Sequence, residues 1–291
     1  MSIEELAPKA YRSFQTILAK ERLNHAYLFA GDFANFEMAL YLTQAIFCQN
    51  LKDKLPCGRC RSCQLIAKNE FQDLTVLEPS GQVIKTETIR EMLKDFSRTG
   101  YEGEQQVFII KDCEKMHINA ANALLKHIEE PQSASYIFLL TNDDNQVLPT
   151  IKSRTQIFHF PKSEDYLSRQ AQKAGLLKNQ ADLIAKLAKS PDDLEKLIKD
   201  SKVLDFINAS QKLTTYLLSN REKAYLEVSR LATSALDKKE QDMVLKLITY
   251  HLANDYSQEK AIHYLEGLYL ARQMWESNVS FQNALEYMVL S

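Results

Sequence analysis

Residues 25–47 read HAYLFAGDFANFEMALYLTQAIF, an apolar run followed by a turn at Gly31 and then an amphipathic stretch. This order of strand, turn and helix is the pattern of a phosphate-binding loop. Three further short apolar runs, at 74–77, 107–110 and 136–140, alternate with helical stretches. Because buried strands that alternate with helices are typical of α/β proteins, we predict a parallel sheet in the first part of the chain.

The loop pattern lacks the residues that bind phosphate. In the motif G-x-x-x-x-G-K-[ST], Gly31 takes the first position, whereas Phe36, Glu37 and Met38 take the last three. A phenylalanine closes the backbone cradle, an acid replaces the cation that binds terminal phosphates, and methionine cannot ligate magnesium. After the apolar run at 107–110, Lys111 stands where a nucleotide hydrolase presents an aspartate to magnesium. We therefore predict that this chain binds no ATP.

Four of the five cysteines lie in the segment 47–63, FCQNLKDKLPCGRCRSC. In a reducing compartment such a cluster indicates a metal site before it indicates disulfides. Two-residue spacings let consecutive thiolates turn back on one ion, and four sulfurs complete a closed tetrahedral zinc shell. We predict a structural zinc module over residues 48–63, with the ligands Cys48, Cys57, Cys60 and Cys63.

Composition excludes several classes of protein. The chain has 291 residues, 36 basic and 38 acidic side chains, and a formal net charge of −2. This balance provides no general attraction for nucleic acid or an acidic membrane, so such contacts would need a local patch. No apolar run approaches the length of a membrane span, and the N-terminal MSIEELAPKA carries acids where a signal peptide carries bases. We expect a cytoplasmic protein with no membrane partner.

Glycine and proline are concentrated in the first two thirds of the chain, and only Gly267 lies beyond residue 191. Because little interrupts a helix in the remainder, and its apolar residues recur every three to four positions, we predict about five helices there. Before them, Ser190 and Pro191 have the pattern of an N-cap and a first helical residue. The predicted domains are 1–162, with a parallel sheet, 163–203, small and helical, and 204–291, all α.

Four segments carry a family resemblance: HAYLFAG at 25–31, the cysteine module, NAANALLKHIEEP at 119–131 and LPTIKSRT at 148–155. In this order they resemble the bacterial clamp-loader subunits of the AAA+ superfamily. The segment NVSFQNALEYMVL at 278–290 is similar to the last collar helix of that family, so the resemblance spans nearly the whole chain. It implies an α/β fold with a RecA-like AAA+ core that carries the inserted zinc module, a small helical lid, and an all-α collar domain through which subunits assemble.

The resemblance also implies a role for one arginine. Ser153 and Arg154 match the S-R-C motif, whose arginine projects into the ATP site of the neighbouring subunit as an arginine finger, and Thr155 replaces the cysteine. Catalytic gamma/tau members of the family keep an intact phosphate loop and place a lid arginine where this chain has Asp192. With the loop lysine, the strand-end aspartate and the lid arginine all missing, we predict no intrinsic ATPase activity.

These features favour a non-catalytic clamp-loader subunit that assembles with gamma/tau and delta subunits and meets the sliding clamp and primed DNA through the complex. One alternative is a divergent gamma/tau-type clamp-loader ATPase. Another is a zinc-ribbon protein that binds nucleic acid alone, although the helical collar would then have no purpose. The second alternative would use a modest basic surface made of Lys52, Lys54, Arg59, Arg61 and Lys68.

Overall fold

The computed structural model describes residues 2–95, 105–130 and 134–291, and it divides into two compact units, Met1–Ser163 and Glu164–Ser291. The first unit is built on a β-sheet, and the described elements of the second are all helices. Among the described residues, no helix combines the length and the apolarity that a membrane crossing requires. The three-domain division at 1–162, 163–203 and 204–291 stays a prediction.

A five-stranded parallel sheet forms the centre of the first unit, with the strand order β2-β3-β4-β1-β5. The strands are β1 (Ala26–Ala30), β2 (Leu74–Leu77), β3 (Gln105–Ile110), β4 (Ala134–Thr141) and β5 (Gln156–His159). The four apolar runs singled out in the sequence are β1 to β4, so the predicted parallel sheet is confirmed.

Both faces of the sheet are buried, because successive side chains of a strand point to opposite faces. In β1, Tyr27 and Phe29 join one apolar cluster together with Phe14 and Met38, whereas Leu28 joins the other cluster. One face is covered by α1 (Ile3–Leu6), α2 (Pro8–Ala19), α3 (Asn35–Phe47) and α4 (Arg61–Ala67). The other is covered by α5 (Thr86–Asp95), α6 (Ile118–Glu129) and α7 (Pro149–Lys152).

The second unit consists of helices α8 (Glu164–Lys173), α9 (Lys178–Leu187), α10 (Pro191–Lys199), α11 (Ser201–Ser219), α12 (Arg221–Ser234), α13 (Lys238–Asn254), α14 (Glu259–Glu276) and α15 (Phe281–Leu290). The predicted start at Ser190 is confirmed, since its hydroxyl accepts a hydrogen bond from the amide of Asp193 and Pro191 is the first helical residue. Side chains of Asp200, Asn220 and Asp237 cap the next three helices in the same way. The five helices that follow residue 200 match the number predicted from the apolar spacing.

Gly31 is required where β1 ends. It has a φ of +106°, and a Cβ added there would lie 2.3 Å from the carbonyl oxygen of Phe160. We predict that Gly31→Ala lowers the free energy of unfolding by at least about 1–3 kcal/mol, because a side chain is strained at this φ even before the backbone clash is relieved. Urea unfolding measures the loss.

Gly81→Ala is the matched control, since no atom lies within 4 Å of a Cβ at that position. Equal unfolding midpoints for the Gly31 and Gly81 variants would contradict the close approach of the chain to Phe160.

Candidate functional site

The turn after β1 is the first candidate site. The amide of Gly31 donates a hydrogen bond of 2.9 Å to the carbonyl of Thr141, at the end of β4. Ala34 adopts the left-handed conformation with a φ of 66°, and α3 begins at the next residue. The strand, turn and helix predicted from the sequence are therefore present at the carboxyl edge of the sheet, which is where ligands bind in open α/β sheets.

The side chains of this turn offer no phosphate ligand. Met38 is fully buried in the core, and Glu37 is exposed in the first turn of α3. The N-terminus of a helix attracts anions, and Glu37 already places a negative charge in the first turn of α3. Phe36 is half-buried, and its ring centroid lies 3.8 Å from the Nζ atom of Lys111.

Lys111 directly follows β3, at the strand end where a nucleotide hydrolase would present an aspartate. Its Nζ forms an ion pair of 2.5 Å with Oε1 of Glu78. A cavity of about 210 Å³ adjoins Phe36 and Lys111. This is smaller than the roughly 300–1,000 Å³ of typical ligand sites. An ammonium group at the strand end repels a divalent cation, in contrast to the aspartate of a nucleotide hydrolase.

The four cysteines of the segment 48–63 come together in space. Their sulfur atoms all lie within 4.8 Å of one another, and those of Cys48 and Cys60 are 4.0 Å apart. Four Zn–S bonds of about 2.3 Å in a tetrahedron separate the sulfurs by about 3.8 Å. The cluster therefore has the size that one four-coordinate metal ion requires.

Backbone N–H groups favour the thiolate form of Cys57, whereas burial raises the pKa of Cys48 and Cys63. Gly58 has a φ of 66°, which turns the chain back between Cys57 and Cys60. The amide of Cys60 then donates to Sγ of Cys57 at 3.3 Å, and the amide of Cys57 donates to Sγ of Cys48 at the same distance. Backbone N–H groups of Arg59 and Cys60 lower the pKa of Cys57 to about 6. Because thiolates are the metal-binding form of cysteine, these donors prepare the cluster for a cation.

The cysteine cluster is joined to the core at both ends. Cys48 directly follows α3, and Cys63 is buried within α4. The side-chain amide of Gln44, on α3, donates a hydrogen bond of 2.8 Å to the carbonyl of Cys63. Ile66, one turn further along α4, is fully buried in the core.

Arg154 lies in a turn that the core holds in place, between α7 and β5. Ile151 is 1% exposed, and Nζ of Lys152 pairs with Oδ2 of Asp144 at 2.8 Å. The hydrogen bond from Lys152 lowers the pKa of the Asp144 carboxyl. The guanidinium of Arg154 is partly exposed, and its Nε donates to the carboxylate of Glu129.

The turn at Gly31 and Arg154 lie at opposite edges of the sheet. The turn at Gly31 follows the end of β1, and Lys111 follows the end of β3, so both are at the carboxyl edge. Arg154 precedes the start of β5, which pairs in parallel with β1, so it is at the amino edge. A strand of five residues spans about 16 Å. Arg154 therefore cannot reach a ligand bound at the turn of its own chain.

The structure brings the four predicted cysteines together, and it places Gly31, Phe36 and Glu37 in one turn. The sequence did not predict two contacts: Lys111 over Phe36, and Arg154 with Glu129. The replacement at Lys111 was visible as a lost motif residue, but its contact with the ring was not. Glu129 gave no signal, because an acidic residue at a helix end is ordinarily a solvated side chain.

Comparison with known proteins identifies the family of the chain. The family described as "DNA polymerase III, delta subunit" matches residues 6–164, more than half of the chain. DNA polymerase III subunit delta' of Bacillus subtilis is 28% identical over 99% of this chain and 96% of its own length. DNA polymerase III subunit tau/gamma of Haemophilus influenzae is 34% identical, but that match covers 49% of this chain and 21% of the relative.

A solved structure of a DNA polymerase III gamma-subunit-related protein from Thermotoga maritima aligns with a TM-score of 0.49 at 16% identity, covering 96% of this chain and 97% of that one.

The fold defines an α/β protein with a parallel sheet, and the turn after β1 carries Phe36, Glu37 and Met38 where a phosphate loop carries glycine, lysine and serine or threonine. The chain belongs to the DNA polymerase III delta-subunit family. Its similarity to a delta' subunit over nearly the full length of both proteins confirms the resemblance to clamp-loader subunits that the sequence motifs indicated.

Proposed function

We propose that this chain is a non-catalytic delta-prime subunit of the DNA polymerase III clamp loader. In this role it assembles with gamma/tau and delta subunits to load the sliding clamp on primed DNA, and it supplies Arg154 to the ATP site of a neighbour. The observation that carries the proposal is the contact of Lys111 with Phe36 and Glu78, which puts a cation and an aromatic ring where Mg-ATP would need an anion and a glycine.

The position of Arg154 supports a role in trans. An arginine finger stabilises the negative charge that develops on a transferred phosphoryl group. Arg154 is partly exposed at the amino edge of the sheet, away from the turn at Gly31. Because no phosphate loop of its own chain is within reach, a nucleotide on another subunit is the group that it can serve.

The alternative, a divergent gamma/tau-type ATPase, is favoured by the similarity of half the chain to a tau/gamma subunit. Against it stand Glu37 and Lys111, each with a charge opposite to that of the catalytic residue it replaces. Asp192 adds a third loss, since it lies in the first turn of α10 where catalytic members carry the lid arginine. The solitary zinc-ribbon protein is disfavoured because the delta' relative matches the helical second unit as well.

We propose that the metal of the cysteine cluster is zinc. Four sulfur ligands without a carboxylate or a carbonyl suit a soft or borderline ion, and a tetrahedral shell of four sulfurs is a structural zinc site. When bound, the ion would hold the segment between α3 and α4 in place. It would supply no catalysis, since the four thiolates leave no position for water.

The second unit offers the surface for assembly. Several of its large apolar side chains are exposed, among them Ile262 and Tyr269 on α14, which are 49% and 64% exposed. These two residues are seven positions apart and therefore lie on one face of the helix. Exposed apolar groups on one face are typical of protein contacts, and we assign them to partner subunits of the complex.

We predict one zinc ion per chain, which Cys60→Ser should release. Because metal binding to four thiolates is part of the folding free energy of residues 48–63, the variant should also become more susceptible to proteolysis in that segment. Elemental analysis and limited proteolysis measure both effects. Cys113→Ala is the control, since this buried cysteine lies outside the cluster. Purified wild-type protein with well under one zinc per chain would refute the prediction.

We predict that the purified chain does not bind Mg-ATP in the micromolar range. Glu37 and Lys111 oppose the phosphates and the magnesium ion respectively, and Phe36 fills the turn. Isothermal titration with Mg-ATP tests this, with an intact gamma/tau subunit titrated in parallel as the positive control. Micromolar binding by this chain would favour the alternative ATPase.

We predict that Ile262→Asp combined with Tyr269→Asp weakens co-purification with gamma/tau by at least about tenfold, since each charge would be buried in an apolar contact. Leu177→Asp is the matched control, because Leu177 is 72% exposed and lies outside the predicted collar. Circular dichroism checks that the helices remain. Undiminished association of the double variant would contradict the assignment of this face.

We predict that Arg154→Ala leaves folding, zinc content and assembly unchanged but lowers the DNA- and clamp-stimulated ATPase of the reconstituted loader. A finger that is the sole donor contributes about a thousandfold in rate, and other subunits supply further arginines, so the overall loss should be partial. Arg12→Ala, an exposed arginine on α2, is the control. Wild-type turnover by the Arg154 variant would refute the role.

A further inference from the structure

The guanidinium of Arg154 is held at two of its three nitrogen atoms. Its Nε donates to the carboxylate of Glu129, and its Nη1 donates to the carbonyl of Thr150 and to Oγ of Ser153, each at 3.2 Å. Within the part of the chain that the structure describes, Nη2 has no hydrogen-bond partner. A guanidinium offers five N–H donors in one plane. Nη2 therefore keeps its N–H donors for a group outside this chain.

The end of α6, which carries Glu129, and the turn that carries Arg154 are both fixed to the core. Glu129 is the last residue of α6, and it follows Ile128, which is 2% exposed. The carbonyl of Ile128 also contacts Nε2 of His25 at 2.7 Å, which ties the end of α6 to the residue before β1. On the arginine side, the burial of Ile151 and the pair between Lys152 and Asp144 fix the turn.

Stability does not account for the pair of Glu129 and Arg154. The two side chains are 46% and 38% exposed, and exposed ion pairs contribute little to the free energy of folding. Their main effect is to restrict the rotamers of a long side chain. An arginine that is already restricted loses less conformational freedom when it meets a phosphate, and a preoriented donor stabilises charge with little reorganisation.

We infer that Glu129 is a positioning residue for Arg154. It holds Nε of the guanidinium against this chain and leaves the N–H groups of Nη2 for the phosphoryl oxygens of a nucleotide on a neighbouring subunit. The inference rests on the proposed function of Arg154 as a finger in trans. It adds a residue, 25 positions away in the chain, that decides how well the finger acts.

The test uses the full chain in the reconstituted clamp loader with primed DNA and the sliding clamp. Glu129→Ala should lower kcat by about threefold to tenfold with little change in the KM for ATP, because a transition-state contact is weakened and ground-state binding is not. Glu129→Gln should retain most of the activity, since the amide oxygen still accepts a hydrogen bond from Nε. Glu130→Ala is the matched control, because this adjacent carboxylate makes no ion pair among the described residues.

A double-mutant cycle isolates the contact. In an Arg154→Ala background, Glu129→Ala should have no further effect, since its only route to the reaction has been removed. An equal loss in both backgrounds overturns the inference, and so does a rise in turnover, which would mean that Glu129 restrains the arginine rather than positions it. If Glu129→Ala has wild-type kcat while Arg154→Ala is impaired, the inference is overturned but the proposed function is unaffected.

The free chain supplies a readout that does not depend on the loader. The ¹⁵N resonance of Arg154 Nε should report a hydrogen bond in the wild type that is lost in Glu129→Ala and kept in Glu130→Ala. Absence of that difference overturns the inference. If the resonance reports the contact but Arg154→Ala has wild-type turnover, the proposed function fails, and the catalytic purpose of Glu129 fails with it.

Discussion

All five strands of the first unit run parallel, and this gives the sheet one carboxyl edge and one amino edge. The turn at Gly31 and the strand-end Lys111 are at the carboxyl edge, whereas Arg154 and Glu129 are at the amino edge. Arg154 and the turn at Gly31 are therefore at opposite edges of the sheet. Under the proposed function, this geometry lets the chain serve the nucleotide of a neighbour without binding one itself.

The turn at Gly31 is a packed part of the structure. Met38 contributes to the core between the sheet and α3, and Lys111 bridges the ring of Phe36 and the carboxylate of Glu78. Under the proposed function, these contacts agree with a subunit that contributes rigidity rather than turnover.

The cysteine cluster also contributes to the structure around this turn. Its first sulfur follows α3 directly and its last lies in α4, so an ion bound there would link two of the four helices that cover one face of the sheet. The bond between Gln44 and the carbonyl of Cys63 makes that link even without the ion. The module is accordingly a support for the helix that follows the degenerate loop.

Sequence alone determined the features that depend on local pattern. The apolar runs at β1 to β4, the helix start at Ser190 and the clustering of the four cysteines could all be predicted, because periodicity, capping and motif spacing act over a few residues. Only the tertiary structure decided the strand order, the contact of Lys111 with Phe36 and the pair of Arg154 with Glu129. Such contacts join residues far apart in the chain, and their energies depend on how separate elements pack, which no local pattern of residues encodes.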